Sequence, residues 1–365
     1  MNILFATQHP HIPQIAGGAQ SSVHELVPEF LAHGHRAAML AGLTTRGVLG
    51  FKSRVRLKLG RSLSVVDDGL GYRVHRAWDP VQAVDEVVRR VRPDVAVMQS
   101  GHPVPLARAF ERAGVPCVIY LRNVELDDLG GDPSTLLGTR FVANSHFTAA
   151  RYRELFGLSS TIVYPLVRAE AYRTETSRES VVFVNPHPLK GLNVALGLAR
   201  ACPDIPFHFV EAWTFDGDAR ERLLAQVAAL PNVTLMPRTR DMLTVYERAK
   251  VVLAPSQWEE AFGRIAAEAH CSAIPVLASR IGGLPEAVGP GGQLVPPDAP
   301  ISDWASALKA MWHDEANYAR LTQAAQRHAE RPALDRAQQV ATLLDIFQQA
   351  IAGIPARDDR ASQAA

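Results

Sequence analysis

Two glutamates eight residues apart, Glu260 and Glu268, bracket the entry to an expected helix over 263–270, behind the loop Pro255-Ser256-Gln257-Trp258-Glu259. An ionised carboxylate accepts two parallel hydrogen bonds, so such a group can hold the hydroxyls of a sugar or a vicinal ribose diol. If helical geometry held throughout, the two would stand roughly 80° apart around the axis. Glu260 would equally serve as an acid favouring the free N–H groups of the helix start, and Glu268 as part of a solvated helix face. Lys190 is the one strong cation in Asn185-Pro186-His187-Pro188-Leu189-Lys190-Gly191 and precedes an expected helix, where a diphosphate would want it. An ordinary surface lysine is the plainer alternative. Two glycine pairs, Gly17-Gly18 and Gly282-Gly283, also open expected helices and could bring backbone N–H groups against an anion, or simply make tight turns. The first is not GxGxxG, and no acid ends the strand expected over 36–41, which argues against a nicotinamide dehydrogenase.

These loops sit within a regular alternation. Residues 2–7 (NILFAT) are a short apolar run, and 21–33 place Val23, Leu26, Val27, Phe30 and Leu31 on one helical face. With Gly34 as the stop and a strand over 36–41, this is a βαβ unit and predicts a parallel sheet. Strands follow over 94–99, 116–121 and 140–144, helices over 104–113 and 147–156, and an extended stretch over 160–164. Residues 168–180 alternate Arg and Glu without an apolar period and read as a linker. The alternation then restarts at 181–184 (VVFV), with strands over 206–211, 233–236, 251–254 and 275–278. Helices are expected over 192–201, 218–229, 242–249, 263–270 and 284–288. A helix-rich tail covers 301–353, broken at Arg331-Pro332, and 354–365 is expected to fray. In doubly wound α/β domains ligands gather at the carboxyl ends of the strands, which is where all four loops fall.

The stretch PSQWEEAFGRIAAEAHCSAIPVLASRIGGLPEAV resembles the signature of the retaining GT-B glycosyltransferases of family four (glycosyl transferases group 1). GGAQSSVHELVPEFLAHGHRAAML is similar to that family's glycine loop, VANSHFTAARYRELFG and TIVYPLV to the end of its first domain, and the KG of PHPLKG to its phosphate-binding lysine loop. The resemblance implies an α/β GT-B fold: two Rossmann-like domains with a deep inter-domain cleft. Residues 1–167 would be the acceptor-binding domain, rejoined by a helix over about 336–353, and 168–335 the nucleotide-sugar domain. It implies that Glu268 binds the ribose diol, Glu260 the transferred sugar and Lys190 the diphosphate, with amides of Phe262, Gly263 and Arg264. The Gly17-Gly18 loop would close over the phosphates or the acceptor, and Gly282 and Gly283 would join the donor site. The implied reaction moves a hexose from a UDP- or GDP-sugar to an acceptor hydroxyl with retention, without metal or other cofactor, in building a cell-surface glycan or glycoconjugate. Same-fold alternatives are a nucleotide-sugar epimerase or sugar-phosphate synthase; a non-catalytic nucleotide-sugar-binding protein is the alternative from another class.

Two positions depart from the family pattern. Its usual Gly-Arg before Lys-Gly reads Asn185-Pro186 here, so Lys190 acts with helix dipoles alone or Arg238 or Arg240 substitutes. Its usual His after the strand 116–121 reads Arg122, which cannot accept a proton but could touch acceptor or phosphate. His102 and His146 are stand-ins that fit capping or surface roles equally well.

The 365 residues exceed what one core usually organises, and 47% hydrophobic with 21% charged residues is ordinary globular composition. Lys plus Arg number 38 against 37 Asp plus Glu, a net +1 that argues against a nucleic-acid partner. Cys117, Cys202 and Cys271 lie far apart, without a CxxC pair, and read as reduced cytoplasmic thiols. The first residues carry no basic, apolar leader pattern, and no run approaches the ~20 apolar residues of a membrane span. One local feature stands out: from Arg46 to Leu63 six cations (Arg46, Lys52, Arg54, Arg56, Lys58, Arg61) interleave with Phe51, Val55, Leu57, Leu59 and Leu63, with no acid. Such a segment is either a mobile basic loop or a peripheral contact with the inner membrane face or a phosphorylated lipid acceptor. The acceptor classes left open are a glycan, a lipid-linked sugar and a small molecule.

Overall fold

A computed structural model describes residues 1–353 apart from Ala16, Arg46, Thr214 and Asp216; the expected fraying of 354–365 and the first cation of the basic segment lie outside the described residues. Contacts divide the chain into two units, Met1–Leu166 with the segment from Arg336 onward, and Val167–Asp335.

The first unit runs β1 (Asn2–Pro10), α1 (Gly18–Ala32), β2 (Arg36–Gly42), α2 (Gly47–Gly60), β3 (Ser64–Asp67), β4 (Arg73–Ala77), α3 (Pro80–Val91), β5 (Val95–Met98), α4 (Pro103–Arg112), β6 (Cys117–Leu121), β7 (Arg140–Ala143), α5 (His146–Phe156) and β8 (Thr161–Ile162). Its sheet has the order β3-β4-β2-β1-β5-β6-β7-β8, parallel except for the antiparallel edge pair β3–β4. Strands covered on both faces must be apolar throughout, which is why Ile3, Leu4, Phe5 and Ala6 are all fully buried.

The second unit runs β9 (Ser180–Val184), α6 (Leu192–Ala201), β10 (Phe207–Val210), α7 (Ala219–Ala228), β11 (Val233–Met236), α8 (Leu243–Tyr246), β12 (Ala249–Ala254), α9 (Arg264–His270), β13 (Val276–Ser279), α10 (Leu284–Val288), β14 (Gly292–Val295), α11 (Ile301–His313) and α12 (Glu315–Ala329). Its parallel sheet has the order β11-β10-β9-β12-β13-β14. Trp304 of α11 is fully buried in its core among Phe183, Phe207 and Leu253. The last helix, α13 (Arg336–Ile351), belongs to the first unit, where Val340, Leu343 and Phe347 join Val23, Val27 and Phe30 of α1.

Three expectations change. The basic segment is not a loop: from Gly47 it is the helix α2. Helix α1 begins at Gly18 rather than Ser21, because Gly17 is extended (φ −165°) and its carbonyl accepts from Ser21. The polar stretch 168–180 is tied to the second unit rather than loose: the Ser177 and Ser180 amides donate to the carbonyls of Glu247 and Arg248 at 2.7 and 3.0 Å.

Each sheet has one point where successive connections leave in opposite directions, between β1 and β5 in the first unit and between β9 and β12 in the second. Loops diverge there and leave a crevice at the carboxyl ends of the strands. In the second unit the two loops abut at Gly191. It has φ +86°, and a Cβ on it would lie 1.9 Å from the Pro255 carbonyl oxygen. Gly34 shares the left-handed conformation (φ +79°) but has nothing within 4 Å of a Cβ. Gly34→Ala should therefore cost only the left-handed backbone penalty of about 1–2 kcal/mol. Gly191→Ala should cost well beyond that, because the backbone of one loop must move. Urea unfolding of the two variants checks this; equal shifts would contradict the close approach.

Candidate functional site

The crevice between β9 and β12 brings together residues that the chain keeps 70 positions apart. Lys190 ends a short 3₁₀ turn, Pro188–Lys190, whose start is capped by the His187 ring accepting from the Leu189 amide at 3.2 Å. From there its Nζ reaches Oε1 of Glu260 at 2.6 Å. The same oxygen accepts from the Ser256 hydroxyl at 3.2 Å, and the Gln257 amide donates to the Leu189 carbonyl at 2.9 Å, which pins the two loops together. The Lys190 ammonium also lies 5.2 and 5.3 Å from the ring centres of Trp213 and Trp258, within cation–π range. Trp213 is held in turn: its amide donates to the Asn185 side chain at 3.2 Å, with Asn185 at φ +68°. Asn185, standing where the family pattern has the glycine of its Gly-Arg, thus fixes one wall of the lysine's surroundings, and Pro186 takes the arginine's place. Trp213 escaped the sequence reading because only the tertiary structure puts the β10 loop beside Lys190.

Glu260 and Glu268 are not related by one continuous helix. Gly263 adopts φ +98° and α9 starts only at Arg264, so the rotation expected for uninterrupted helical geometry does not apply. Glu268 is buried rather than on a solvated face. Arg264 donates from Nε to its Oε1 at 2.9 Å, and the Tyr246 hydroxyl donates to its Oε2 at 3.1 Å. Arg264 also donates to the Tyr172 hydroxyl at 2.9 Å. Burial, with the Glu268 carboxylate beside it, pushes the Tyr246 phenol well above its ordinary value, so it stays a donor. The carboxylate is therefore fixed in direction. The Gly282-Gly283 pair supports the Glu260 loop from behind: the Gly283 amide donates to the Glu260 carbonyl at 2.6 Å, and a Cβ on Gly283 would lie 2.5 Å from the Ala261 carbonyl oxygen. Phe262, buried at 2% exposure, and Gly263 lead from that loop into α9. Arg238 and Arg240 are exposed on the loop after β11, two strands from β9.

The remaining candidates lie in the first unit. Gly17 is the N-cap of α1, with Gly18 its first residue. Arg122 is buried at 8% exposure with its guanidinium 3.7 Å from the Tyr120 ring centre, a stacked cation at the carboxyl end of β6. His102 precedes α4 in the left-handed region (φ +51°), and His146 opens α5 with its ring 6.4 Å from that of Tyr164. A pair absent from the sequence reading stands at the carboxyl end of β1: His9 Nε2 and Asp128 Oδ1 are 2.7 Å apart. The dipeptide His9-Pro10 was visible in the sequence, but nothing there linked it to an aspartate 119 positions away.

The pattern of glycosyl transferases group 1 matches residues 182–328. A D-inositol 3-phosphate glycosyltransferase of Streptomyces bingchenggensis is 30% identical over 247 residues, 59% of this chain and 53% of the relative. Its namesake from Saccharomonospora viridis is 40% identical over 115 residues, 31% of this chain and 26% of the relative. The chain thus spans about half the length, or less, of these curated relatives. Among solved structures, a glycosyltransferase from Rickettsia africae matches with a TM-score of 0.75 at 15% identity, covering 96% of this chain and 98% of that one. Anabaena HepE in complex with UDP-glucose matches with a TM-score of 0.72 at 19% identity, covering 94% and 99%. At these identities the structural likeness speaks to fold alone, and the sequence matches cover part of this chain and part of each relative. Residues 182–328 thus match the glycosyl transferases group 1 pattern, and the chain has a GT-B-class fold of two Rossmann-like units.

Proposed function

We propose that the chain transfers a hexose from a UDP- or GDP-sugar to an acceptor hydroxyl, with retention of anomeric configuration. The observation that carries this reading is the Lys190–Glu260 pair at the β9/β12 crevice, 2.6 Å apart and flanked by Trp213 and Trp258. An ion pair only about one-fifth exposed on each side gains little net stability, since lost hydration offsets attraction. Its chemistry suits exchange: a diphosphate takes the ammonium and sugar hydroxyls take the carboxylate. Lys190 would then stabilise the leaving diphosphate without a metal ion or other cofactor, and Glu268 would hold the ribose diol from its fixed position. Amides around Phe262, Gly263 and Arg264 would complete the donor site, with Arg238 nearby in the loop order and Gly282-Gly283 shaping it from behind. Gly17, Gly18 and Arg122 belong to the acceptor-binding unit. HepE was solved with UDP-glucose and the relatives are described as D-inositol 3-phosphate glycosyltransferases, so a UDP-hexose and a phosphorylated polyol are the first donor and acceptor to try. Cell-surface glycan or glycoconjugate synthesis is the corresponding role, in the cytoplasm.

Helix α2 supplies a membrane contact in this reading. Val48, Phe51, Val55 and Leu59, at 70, 69, 41 and 81% exposure, recur at three- and four-residue spacings and share one face. Buried Gly50 and Ser53 lie on the opposite face, and Arg56 and Lys58 flank the apolar stripe. This is the pattern of a helix lying in an anionic lipid interface. The helix is an anchor lying on the surface, and among the described residues no helix is long and apolar enough to cross a membrane.

Release of UDP or GDP, measured across donors and acceptors, tests the activity; tight nucleotide-sugar binding without transfer would instead favour a non-catalytic binding protein. Glu268→Ala is expected to weaken nucleotide binding about tenfold or more, the size of a hydrogen bond to a charged group, whereas Glu260→Ala should chiefly lower kcat. If both variants keep wild-type kinetics, the site assignment is wrong. Vesicles containing phosphatidylglycerol should sediment the wild-type chain in low salt, and the Phe51→Glu/Leu59→Glu double variant should stay in the supernatant. Equal sedimentation of the two would remove α2 as the contact.

A further inference from the structure

The first unit has its own crevice, between β1 and β5, and a built pair of titratable groups stands in it. Asp128 lies in the 3₁₀ turn Leu126–Leu129 and is only 18% exposed at its side chain. Three donors converge on its carboxylate: His9 Nε2 at 2.7 Å on one oxygen, and the Gly101 amide at 2.8 Å and Asn123 Nδ2 at 2.6 Å on the other. The turn is anchored in addition by the His102 amide, which donates to the Asp128 carbonyl at 2.7 Å. His9 is fixed from the main-chain side, its amide donating to the Thr7 hydroxyl at 3.1 Å. Gly101 must be glycine for the ring to fit, since a Cβ there would lie 2.7 Å from His9 Cδ2.

With the carboxylate ionised, His9 carries its proton on Nε2 and donates it to Asp128, which leaves the Nδ1 lone pair as the acceptor. The ring is 45% exposed, and among the described residues no partner takes Nδ1. The hydrogen bond to Asp128 raises the His9 pKa above its ordinary 6.5, against the opposing effect of burial. Burial pushes the Asp128 carboxyl up, but the bonds from His9, the Gly101 amide and Asn123 outweigh it and hold it below the usual value. The other ionisable groups facing the pair are Glu125, at the start of the Asp128 turn, and Tyr152 of α5, whose hydroxyl donates to the Asn123 carbonyl at 3.0 Å and is kept protonated by burial and by the Glu125 and Asp128 carboxylates.

We propose that His9, oriented by Asp128, is the acceptor-side base of this chain. The acceptor O–H bond breaks and its proton passes to His9 Nδ1. The freed oxygen pair bonds the anomeric carbon, and the bond from that carbon to the diphosphate breaks with its electron pair leaving on the diphosphate. The proton then returns to water. This assignment rests on the glycosyltransferase reading, and it offers a base where Arg122, in the family's histidine position, cannot act as one.

The test uses the full chain with UDP-glucose or GDP-mannose as donor and D-inositol 3-phosphate or myo-inositol as acceptor, with nucleotide affinity measured in parallel by calorimetry. A base works only when neutral, so kcat/KM for the acceptor should fall as pH drops through a pKa above 6.5. His9→Ala should lower kcat/KM about 10²–10⁴-fold, the usual worth of general-base catalysis, leave UDP affinity unchanged, and regain rate with added imidazole. Asp128→Asn should move the acidic limb of the profile to lower pH. A His9→Ala variant with wild-type kcat/KM and pH profile overturns the proposal. So does a rate that rises as pH falls, the mark of an imidazolium gripping an anionic acceptor. If the wild-type chain binds nucleotide yet transfers nothing, the enzyme reading falls and the base falls with it; loss confined to the His9 variant keeps the two apart.

Discussion

A parallel sheet exposes its strand-end backbone at one edge, and where successive connections diverge no helix covers that edge. In the second unit this constraint places the loops after β9 and β12 side by side, close enough that only glycine fits at 191. Everything proposed for the donor follows from that closeness. Lys190 ends its turn one residue before the contact, Glu260 sits five residues beyond Pro255, and their charges meet at 2.6 Å. The ion pair is a consequence of topology before it is a feature of chemistry. A wider gap at Gly191 would leave two separately solvated side chains.

The same logic operates in the first unit with different residues. The β1/β5 crevice holds His9 against Asp128, again with a glycine, Gly101, permitting the approach. One unit presents a cation and a carboxylate between indoles; the other presents an imidazole with its tautomer fixed by a carboxylate. The first arrangement suits an anionic leaving group and sugar hydroxyls, the second a hydroxyl that must lose a proton.

Much of this was readable in the chain beforehand, and what escaped did so for physical reasons. Strands covered on both faces, such as Val251–Ala254 and Val276–Ala278, announce themselves as continuous apolar runs. The β3–β4–α3 stretch did not, although Val81, Val84, Val87 and Val88 carry helical spacing. Strand β4 reads Arg-Val-His-Arg-Ala, and its Arg76 is wholly buried, donating to Asp67 at 2.8 Å and to the carbonyls of His11 and Ile12. A buried polar residue breaks the apolar signal that a strand search depends on. Glycines at both ends and five cations between Lys52 and Arg61 hid α2 in the same way. Glu260, Glu268 and Lys190 were recognisable by residue type and loop position. The tryptophan flanks of Lys190, the Tyr246 hydroxyl on Glu268 and the His9–Asp128 pair are contacts across distant sequence, which no local spacing reports, whereas Arg264 meets Glu268 at the ordinary i,i+4 spacing of one helix.

In the proposed donor site the Lys190–Glu260 pair opens to receive a nucleotide sugar. A crystal structure of the chain soaked with UDP-glucose or GDP-mannose tests it most directly. The diphosphate is expected on Lys190 Nζ, the sugar hydroxyls on Glu260 and the ribose diol on Glu268. A nucleotide bound with Lys190 and Glu260 still joined, and its diphosphate held elsewhere, would contradict it.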